Sequence, residues 1–459
     1  MNKPWNPHKN RTDRPQGPIK SRLAGLAVDP TKRWGQNFLA DSNLAKAIVN
    51  NLAVRPGEQV VEIGPGLGAL TDLLLAAGAQ LTAIEIDRRL ADDLQKRLDP
   101  AVCRVVEADA VQFDYGALAP LGPVSLIGNL PYSASTAIIA AWLNPAMSVR
   151  RAVAMVQREV AERLAASHDT RDYGGLSVRV QLRYQVRIER IVPPTVFKPA
   201  PKVDSAVIIM EPHPPGTMAP FKKRTMDVLL RAGFSQRRKQ LGKLFASVGL
   251  DWAAASEALN LPKLARAEDL KVSDWVALAR WRDGMGQVVK ATDGEWFDVV
   301  DAEDRATGRM QRAEVHAQGL RHRAVHIFIT DTAGRILLQR RSDFKDKFPG
   351  IWDSSAAGHV GAGDDYAATA EREIEEELGV KVPLLPVGRV EACLETGMEF
   401  VEIFHGRHDG PFEPDPEEVA ALRFFDRATL EDWIRRRPED FAPGLLRCWQ
   451  EVSSRIPED

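Results

Sequence analysis

Short apolar segments alternate with helical segments between residues 59 and 127, and this alternation constrains the fold more than any other feature of the chain. Helical stretches such as 69–77 and 90–98 lie between the apolar segments. The buried-strand candidates are 59–63, 80–85, 102–108 and 124–127. Strands that alternate with helices predict a parallel, doubly wound sheet, because a crossover helix returns the chain to the same edge. We therefore expect an α/β, Rossmann-like domain here.

A glycine-rich turn, Glu62-Ile63-Gly64-Pro65-Gly66-Leu67-Gly68, follows the first strand candidate and opens a helix. Glycines let the backbone turn sharply and approach a ligand closely. The dinucleotide fingerprint spaces its glycines differently and places a pyrophosphate on the helix N-terminus. Here Pro65 removes an N–H donor and Glu62 precedes the first glycine, which favours a ligand with a cationic amino-acid end over a phosphate. A purely structural turn is the alternative.

Acidic residues close the next two strand candidates. Glu85 ends the second strand, where a carboxylate can accept hydrogen bonds from both hydroxyls of a ribose. Asp109 follows the third strand, where it can accept from an adenine amine. Together with the glycine turn, these acids predict a nucleoside ligand with an amino-acid end and support a methyltransferase-like fold.

The turn Asn129-Leu130-Pro131-Tyr132 follows the fourth strand candidate. The exocyclic amine of adenine is a poor nucleophile because its lone pair is delocalised into the ring. Two acceptors, the Asn129 side-chain oxygen and the Leu130 carbonyl, would bias that nitrogen toward tetrahedral geometry. Pro131 fixes the turn and Tyr132 offers a face on which an unstacked base can lie. We predict these four as catalytic residues, and a simple proline turn is the alternative.

Motifs in the first 282 residues occur in the order found in the small-subunit ribosomal RNA adenine dimethyltransferases, and the chain resembles that family over about 31–282. The further motifs that carry the resemblance are Gly35-Gln36-Asn37-Phe38-Leu39, Gln157-Arg158-Glu159-Val160-Ala161-Glu162-Arg163, Tyr173-Gly174-Gly175-Leu176-Ser177, Pro199-Ala200-Pro201-Lys202-Val203-Asp204-Ser205 and Phe234-Ser235-Gln236-Arg237-Arg238-Lys239.

This resemblance implies S-adenosylmethionine as cofactor and dimethylation at N6 of two adjacent adenosines in the 3′-terminal hairpin loop of 16S rRNA, within the small ribosomal subunit. It implies that Phe197 helps to hold the flipped base. The residues that it assigns to the cofactor are Asn37, Leu39, Gly64, Glu85, Asp109 and Asn129. A non-catalytic, RNA-binding ribosome assembly factor is the alternative, against which the intact turn at Asn129 speaks.

Charge divides the chain in two. Residues 1–285 carry a net charge of +11 and residues 286–459 a net charge of −13. The segment 221–282 is predicted to be helical and includes a basic run to which Arg237, Arg238 and Lys239 belong. Basic residues contact RNA phosphates and exposed loops, and in this context we predict an RNA-binding surface. A solvated helix face is the alternative.

A second site is predicted on a helix at 364–378. Glu373, Glu376 and Glu377 share one helix face, and clustered carboxylates of this kind predict a Mg²⁺ or Mn²⁺ site. With Gly358 fourteen residues before Arg372, the pattern resembles the box of the Nudix hydrolases, except that Asp364 occupies the first acidic place. The resemblance implies an α+β domain that hydrolyses a nucleoside-diphosphate-type small molecule.

The surrounding residues also resemble the Nudix branch near isopentenyl diphosphate isomerase, so an isomerase-like or a non-catalytic diphosphate-binding module stays open. That isomerase needs a cysteine where this chain has Ala357, and we therefore favour hydrolysis. His316, His322 and His359 could bind a second metal, although ordinary structural or surface roles are favoured for each.

The predicted organisation is a disordered basic arm at 1–30, a methyltransferase domain at 31–215, a helical RNA-binding subdomain at 216–283 and a Nudix domain at 290–459. The three cysteines, Cys103, Cys393 and Cys448, are far apart and odd in number, which fits a reducing cytosol better than a disulfide framework. No apolar run approaches the roughly 18 residues of a membrane span. We expect a cytoplasmic monomer without a membrane partner.

Overall fold

The computed structural model describes residues 25–26, 37–286 and 294–457, so nearly all of the predicted N-terminal arm lies outside the described residues. Backbone contacts divide the chain into two compact units. The first runs to His213 and includes Gly233–Leu241 and Leu264–Val272. The second includes Pro214–Ala232, Gly242–Lys263 and the residues from Ser273 onward. Because this division splits the segment 216–283, the domain boundaries stay a prediction.

The first unit is built around one large sheet and the helices on its faces. Two short 3₁₀ turns, Tyr115–Leu121 and Pro194–Val196, lie between its elements. In chain order the elements are β1 (Phe38–Leu39), α1 (Ser42–Leu52), β2 (Gln59–Ile63), α2 (Thr71–Ala76), β3 (Gln80–Glu85), α3 (Arg88–Arg97), β4 (Cys103–Glu107), β5 (Val124–Asn129), α4 (Ser135–Ala141), β6 (Val149–Gln157), α5 (Arg158–Ala165), α6 (Gly175–Gln181), β7 (Tyr184–Val192), β8 (Phe197–Lys198) and β9 (Ser205–Pro212).

The sheet has seven strands in the order β4-β3-β2-β5-β6-β9-β7. The first five are parallel, as predicted, and apolar clusters cover both faces: Val61 and Leu126 belong to one cluster, Val60 and Ile127 to the other. Beyond the predicted strands, β9 pairs antiparallel with β6 and β7, so the complete sheet is mixed. Strand β7 forms one edge and alternates exposed with less exposed residues, as an antiparallel strand with one wetted face does.

Residues 223–282 are mostly helical, as predicted. Phe245 packs at 5.7 Å from Trp252 and 6.3 Å from Trp275, measured between ring centroids. The helices are α7 (Lys223–Gly233), α8 (Leu241–Phe245), α9 (Trp252–Ala258) and α10 (Val272–Arg282), with 3₁₀ turns at Ala246–Val248 and Ala267–Asp269. In the described ranges, no helix is both long and apolar enough to span a bilayer.

The part of the second unit from residue 294 to 457 is α+β, as predicted. Its last elements include a 3₁₀ turn at Pro438–Asp440. In chain order the elements are β10 (Trp296–Val300), β11 (Ala306–Gln311), α11 (Arg312–Gln318), β12 (His322–Thr330), β13 (Ile336–Arg341), β14 (Trp352–Asp353), β15 (Ala356–His359), α12 (Tyr366–Leu378), β16 (Leu385–Val390), β17 (Glu399–Arg407), β18 (Val419–Phe425), α13 (Arg427–Arg436) and α14 (Pro443–Val452).

Strands β12 to β18 form a mixed sheet in which β12 pairs parallel with β17 and antiparallel with β15. Helix α12 packs on β12 and β15 through Ala370, Ile374 and Leu378, which join the buried cluster beneath it. Asp365 caps its first turn by accepting from the Ala368 N–H at 2.8 Å, and Gly379 ends it with φ of 69°. These contacts fix which face of α12 points away from the core.

Candidate active sites

A cavity of about 640 Å³ lies at the carboxyl ends of β2, β3, β4 and β5, where ligands bind in doubly wound sheets. All the residues predicted to bind the cofactor line it, as do the four residues of the predicted catalytic turn. The lining residues that were predicted from sequence are Asn37, Leu39, Gly64, Glu85, Asp109, Asn129, Leu130, Pro131 and Tyr132. The fold therefore brings residues that are up to 95 positions apart in the chain into one pocket.

The glycine turn adopts backbone angles that side chains rarely accept. Gly64, Gly66 and Gly68 have φ of 64°, 56° and 87°. A Cβ at Gly66 would also lie only 3.1 Å from the ring of Phe38. The Gly66 N–H donates to the Glu85 carboxylate at 3.0 Å, so the turn is tied to the end of β3. The turn needs glycine for both conformation and space.

Two buried carboxyl groups differ in what they offer a ligand. Glu85 accepts backbone N–H groups from Gly66 and Asp87 at 3.0 Å each, which leaves lone pairs for ribose hydroxyls. Glu62 is 1% exposed, accepts from the Thr71 hydroxyl at 2.7 Å, and burial raises its pKa to about 8. Burial thus favours the protonated form of this carboxyl, and a cationic group bound beside it would favour the charged form.

The turn after β5 holds two unengaged acceptors at the cavity. Asn129 Nδ2 donates to the Asn37 carbonyl at 2.8 Å, which fixes the side-chain amide with its oxygen on the other side. Among the described residues no group donates to that oxygen or to the Leu130 carbonyl. The Tyr132 hydroxyl hydrogen-bonds with Ser205 Oγ, which holds the half-buried ring in place. The turn thus presents two unengaged acceptors at the cavity.

Not every predicted residue joins this cavity. Phe197 is 2% exposed, faces Leu39 across the β1–β8 pair and packs in the core beneath the sheet, so it does not line the pocket. Arg237, Arg238 and Lys239 are exposed in the turn between α7 and α8 rather than on a helix. Arg237 donates to the carbonyl of Arg171 within the same unit. The side chains of these three residues are exposed to solvent and do not line the cavity.

A second cavity, of about 890 Å³, lies over α12 and the end of β15. It is lined by all three predicted metal-binding carboxylates, Glu373, Glu376 and Glu377. A Cβ at Gly358 would overlap the Glu373 carboxyl, so the glycine allows α12 to lie close to β15. Asp364, the atypical acid of the motif, is exposed and does not line the cavity.

The electrostatics of this cavity favour a cation. Burial raises the pKa of Glu373 to about 7 and that of Glu377 to about 8, and the two carboxylates repel each other and Glu418. Arg372 bridges Glu373 at 2.9 Å and Glu376 at 3.1 Å. A divalent cation among these carboxylates would relieve the repulsion, so the donor set fits Mg²⁺ or Mn²⁺.

A family model described as ribosomal RNA adenine dimethylase matches residues 29–283, which is more than half of the chain. The chain belongs to the ribosomal RNA adenine dimethylase family. Members of this family use S-adenosylmethionine. The resemblance inferred from motifs over 31–282 is therefore confirmed, together with the Rossmann-like fold class and the assignment as an enzyme. A NUDIX domain model matches residues 320–445, which confirms that a Nudix domain follows the family's own region.

Individual relatives agree with the family model. The ribosomal RNA small subunit methyltransferase A of Methylibium petroleiphilum is 42% identical over 253 residues, which are 54% of this chain and 94% of that protein. The protein of the same description from Bordetella petrii is 40% identical over 250 residues, 54% of this chain and 93% of its own length. The crystal structure of the 23S rRNA methyltransferase ErmE matches with 25% identity and a TM-score of 0.44, and covers 54% of this chain and 100% of that one.

Two acidic residues of the Nudix cavity were not predicted from the sequence. Glu418 lines it beside Glu373 and Glu377 and pairs with Lys345. Glu399, at the start of β17, hydrogen-bonds with His359 Nε2 at 3.2 Å and lies 3.5 Å from His322 Nε2. Neither acid stands at a helical or strand spacing from the motif on α12, and a local pattern therefore gives no signal for them.

Proposed function

We propose that this chain transfers methyl groups to N6 of two adjacent adenosines in the 3′-terminal hairpin loop of 16S rRNA in the small ribosomal subunit. The observation that carries the proposal is the pair of unengaged acceptors, Asn129 Oδ1 and the Leu130 carbonyl, at the end of β5. An adenine amine carries two N–H donors, and this pair offers one acceptor for each. The names of the curated relatives support ribosomal RNA of the small subunit as the substrate.

The residues of the first cavity would have different roles in methyl transfer. When bound, S-adenosylmethionine supplies an electrophilic methyl group. Glu85 would accept from the ribose hydroxyls and Asp109 from the adenine amine, while Asn37, Leu39 and Gly64 wall the pocket. Asn129 and Leu130 would hold the target amine so that its lone pair leaves the plane of the base. Tyr132 would stack on the base, which must leave its RNA stack to reach the turn.

A strong general base is not required in this scheme. In the first transfer, attack by the nitrogen makes a cationic amine whose two N–H groups would point at Asn129 Oδ1 and the Leu130 carbonyl. In the second transfer, the methylated nitrogen keeps one N–H for one of these two acceptors. Acceptors placed where positive charge develops stabilise it without reorganisation. The proton can then pass to solvent, because the nitrogen becomes strongly acidic once it is methylated and cationic.

A methylation assay on small subunits that lack the modification tests this proposal. The wild-type chain should methylate them, and Asn129→Ala should do so about 10²–10³-fold more slowly. A non-catalytic assembly factor, the competing function, predicts tight binding to the subunit with no methyl transfer by either protein. Transfer that Asn129→Ala leaves unchanged would refute the role of the turn.

We propose further that the Nudix domain hydrolyses a nucleoside-diphosphate-type small molecule with Mg²⁺ or Mn²⁺ held by Glu373, Glu376 and Glu377. When bound, such an ion neutralises diphosphate charge and activates water. Lys345 and Arg341 also line the cavity and would contact the phosphates. Neither Cys393 nor Cys448 lines it, which supports hydrolysis over the cysteine-dependent isomerase alternative.

An assay of phosphate release distinguishes hydrolysis of a diphosphate from binding without reaction. Nucleoside and prenyl diphosphates should be screened with Mg²⁺, comparing the wild-type chain with Glu376→Gln and Glu377→Gln. Glu375→Gln is a matched control on the same helix, because its side chain pairs with Lys381 outside the cavity. We expect phosphate release by the wild type and the control only. Binding of a diphosphate without release would favour the non-catalytic module instead.

A further inference from the structure

The N-terminus of helix α14 opens onto the Nudix cavity. Its N-cap residue, Ala442, and its first two residues, Pro443 and Gly444, line the cavity wall. The start of the helix is held against the sheet, because the Ala442 N–H donates to the Trp352 carbonyl at 2.8 Å. The aligned peptide dipoles of the ten helical residues give the first turn a partial positive charge. This wall of the cavity therefore favours negative charge.

Helix α14 begins without a side-chain cap. Most helices start with a Ser, Thr, Asp or Asn whose oxygen accepts from an N–H of the first turn, whereas Ala442 has no such oxygen. Among the described residues no group accepts from the N–H of Gly444 or Leu445. The Leu446 N–H donates to the Ala442 carbonyl at 3.2 Å, so the bonds of the helix itself start there. Water can satisfy such groups, and an uncapped end alone does not define a site.

A buried histidine beside this helix end supplies the second observation. His326, on β12, is 6% exposed and lines the same cavity. Its Nδ1 lies 2.8 Å from Ser354 Oγ, and the Ser354 hydroxyl donates to the Ala356 carbonyl at 3.1 Å, so Nδ1 donates to Ser354. In the part of the chain that the structure describes, His326 Nε2 has no partner. A buried nitrogen without a partner is uncommon and points to a ligand or a water.

His326 Nε2 and the first turn of α14 border the same small space. A Cβ at Gly444 would lie only 3.2 Å from His326 Nε2, so the glycine keeps this space open. The space thus combines backbone N–H donors, the positive end of a helix and an imidazole nitrogen. This combination suits a ligand group that has several acceptor oxygens and also carries a proton.

The nearest carboxylate does not oppose an anion here. Asp353 Oδ1 lies 3.9 Å from His326 Nδ1 and is buried, but Asp353 also pairs with the Arg341 guanidinium at 3.1 Å, which balances its charge. A phosphate group has a second pKa of about 6 and is partly protonated near neutral pH. Such a group can donate to the bare Nε2 while its other oxygens accept from the N–H groups of the helix.

We infer that the N-terminus of α14 and His326 bind a phosphate group of the Nudix ligand, at a site distinct from the carboxylates of α12. The identity of that ligand rests on the proposed function, whereas phosphate binding itself needs neither metal nor turnover. The site would hold either a phosphate of the diphosphate or a further phosphate on the nucleoside. Both present the same chemistry to the helix end.

Titration of the full chain with inorganic phosphate in EDTA, followed by calorimetry, tests the inference without the metal site. We expect one equivalent with a Kd of about 1 mM or tighter in the wild type. Gly444→Ala fills the space with one methyl group and should weaken binding at least ~10-fold, as should His326→Leu. Alanine is a better helix former than glycine, so Gly444→Ala should keep the wild-type Tm. Gly308→Ala is the matched control, because a Cβ there meets no atom within 4 Å.

Two nucleoside diphosphates that differ only in a 3′-phosphate distinguish the sources of the phosphate. A KM that Gly444→Ala raises for both substrates supports a site for the diphosphate, and a KM raised for the 3′-phosphorylated substrate alone supports a site for the further phosphate. Glu376→Gln should stop hydrolysis and leave the binding of inorganic phosphate unchanged. The inference therefore stands even if the wild type releases no phosphate, in which case the binding of the two substrates is compared in EDTA.

Three results would overturn the inference. The first is the absence of saturable phosphate binding by the metal-free wild type. The second is wild-type affinity in both Gly444→Ala and His326→Leu together with loss of binding when residues 237–239 are alanine, which would place the phosphate on the basic run. The third is an affinity or KM for both nucleoside diphosphates that Gly444→Ala leaves unchanged.

Discussion

Replacement of Asn129 by alanine removes one of the two acceptors that the proposed mechanism places on the target amine. The lost side chain makes two kinds of contact, one to the substrate through Oδ1 and one to the Asn37 carbonyl through Nδ2 at 2.8 Å. Loss of a preorganised hydrogen bond to developing charge costs about 3 kcal/mol in the transition state, which corresponds to about 10²–10³ in rate. Loss of the bond to Asn37 costs about 1 kcal/mol of folding stability, which leaves the domain folded.

The assay follows transfer of labelled methyl groups to unmodified small subunits under single-turnover conditions, with thermal melting as a check on folding. Asn50→Ala, on the exposed face of α1, is the matched control and should keep the wild-type rate. A rate for Asn129→Ala within tenfold of the wild type would refute the reasoning, because the lost acceptor would stabilise the positive charge that develops on the amine.

Further predictions concern the other sites. Gly358→Ala forces a Cβ into the Glu373 carboxyl and should reduce diphosphate hydrolysis at least ~100-fold while methyl transfer stays unchanged; equal hydrolysis would contradict the steric reading. The pKa values of Glu373 and Glu377, about 7 and 8, lie above the ordinary 4.5, so Mg²⁺ must displace protons and should bind more tightly as pH rises from 6 to 8.5. Calorimetry in buffers of different ionisation enthalpy should show proton release, and pH-independent affinity would count against the site. Burial favours the protonated forms of Glu373 and Glu377 in the folded state. The free energy of unfolding of the metal-free chain should therefore fall as the pH rises from 4.5 through 8. Alanine at 237–239 should weaken subunit RNA binding and lower the salt dependence by about 0.7 per lost phosphate contact, and an unchanged slope would exclude these residues from the RNA surface.

Much of the first unit follows from local patterns. Segments 59–63 and 80–85 are strands with the predicted bounds, because a central parallel strand buried on both faces appears as an apolar run between turn residues. Glycines whose positions demand a positive φ likewise stand out in the sequence. The antiparallel edge formed by β7 and β9 could not be predicted in this way, because pairing direction depends on how the chain returns through α5 and α6.

Properties that depend on tertiary burial could not be predicted from the sequence either. Glu62 belongs to a ligand-binding motif, yet its charge depends on desolvation and on Thr71 nine residues later. Phe197 was assigned to the base by resemblance, but its pairing with Leu39 buries it in the core. Glu399 joins three histidines only because β17 pairs with β12, a non-local contact that no spacing rule encodes.

The most direct test of the central claim is to map methyl groups on small-subunit RNA after incubation with the wild-type chain and S-adenosylmethionine. Mass spectrometry of nuclease fragments locates and counts the methyl groups. We predict N6,N6-dimethyladenosine at two adjacent positions in the 3′-terminal hairpin loop, formed about 10²–10³-fold more slowly with Asn129→Ala. Unmodified RNA, or methyl groups confined to other positions or to other atoms of the base, would contradict the account.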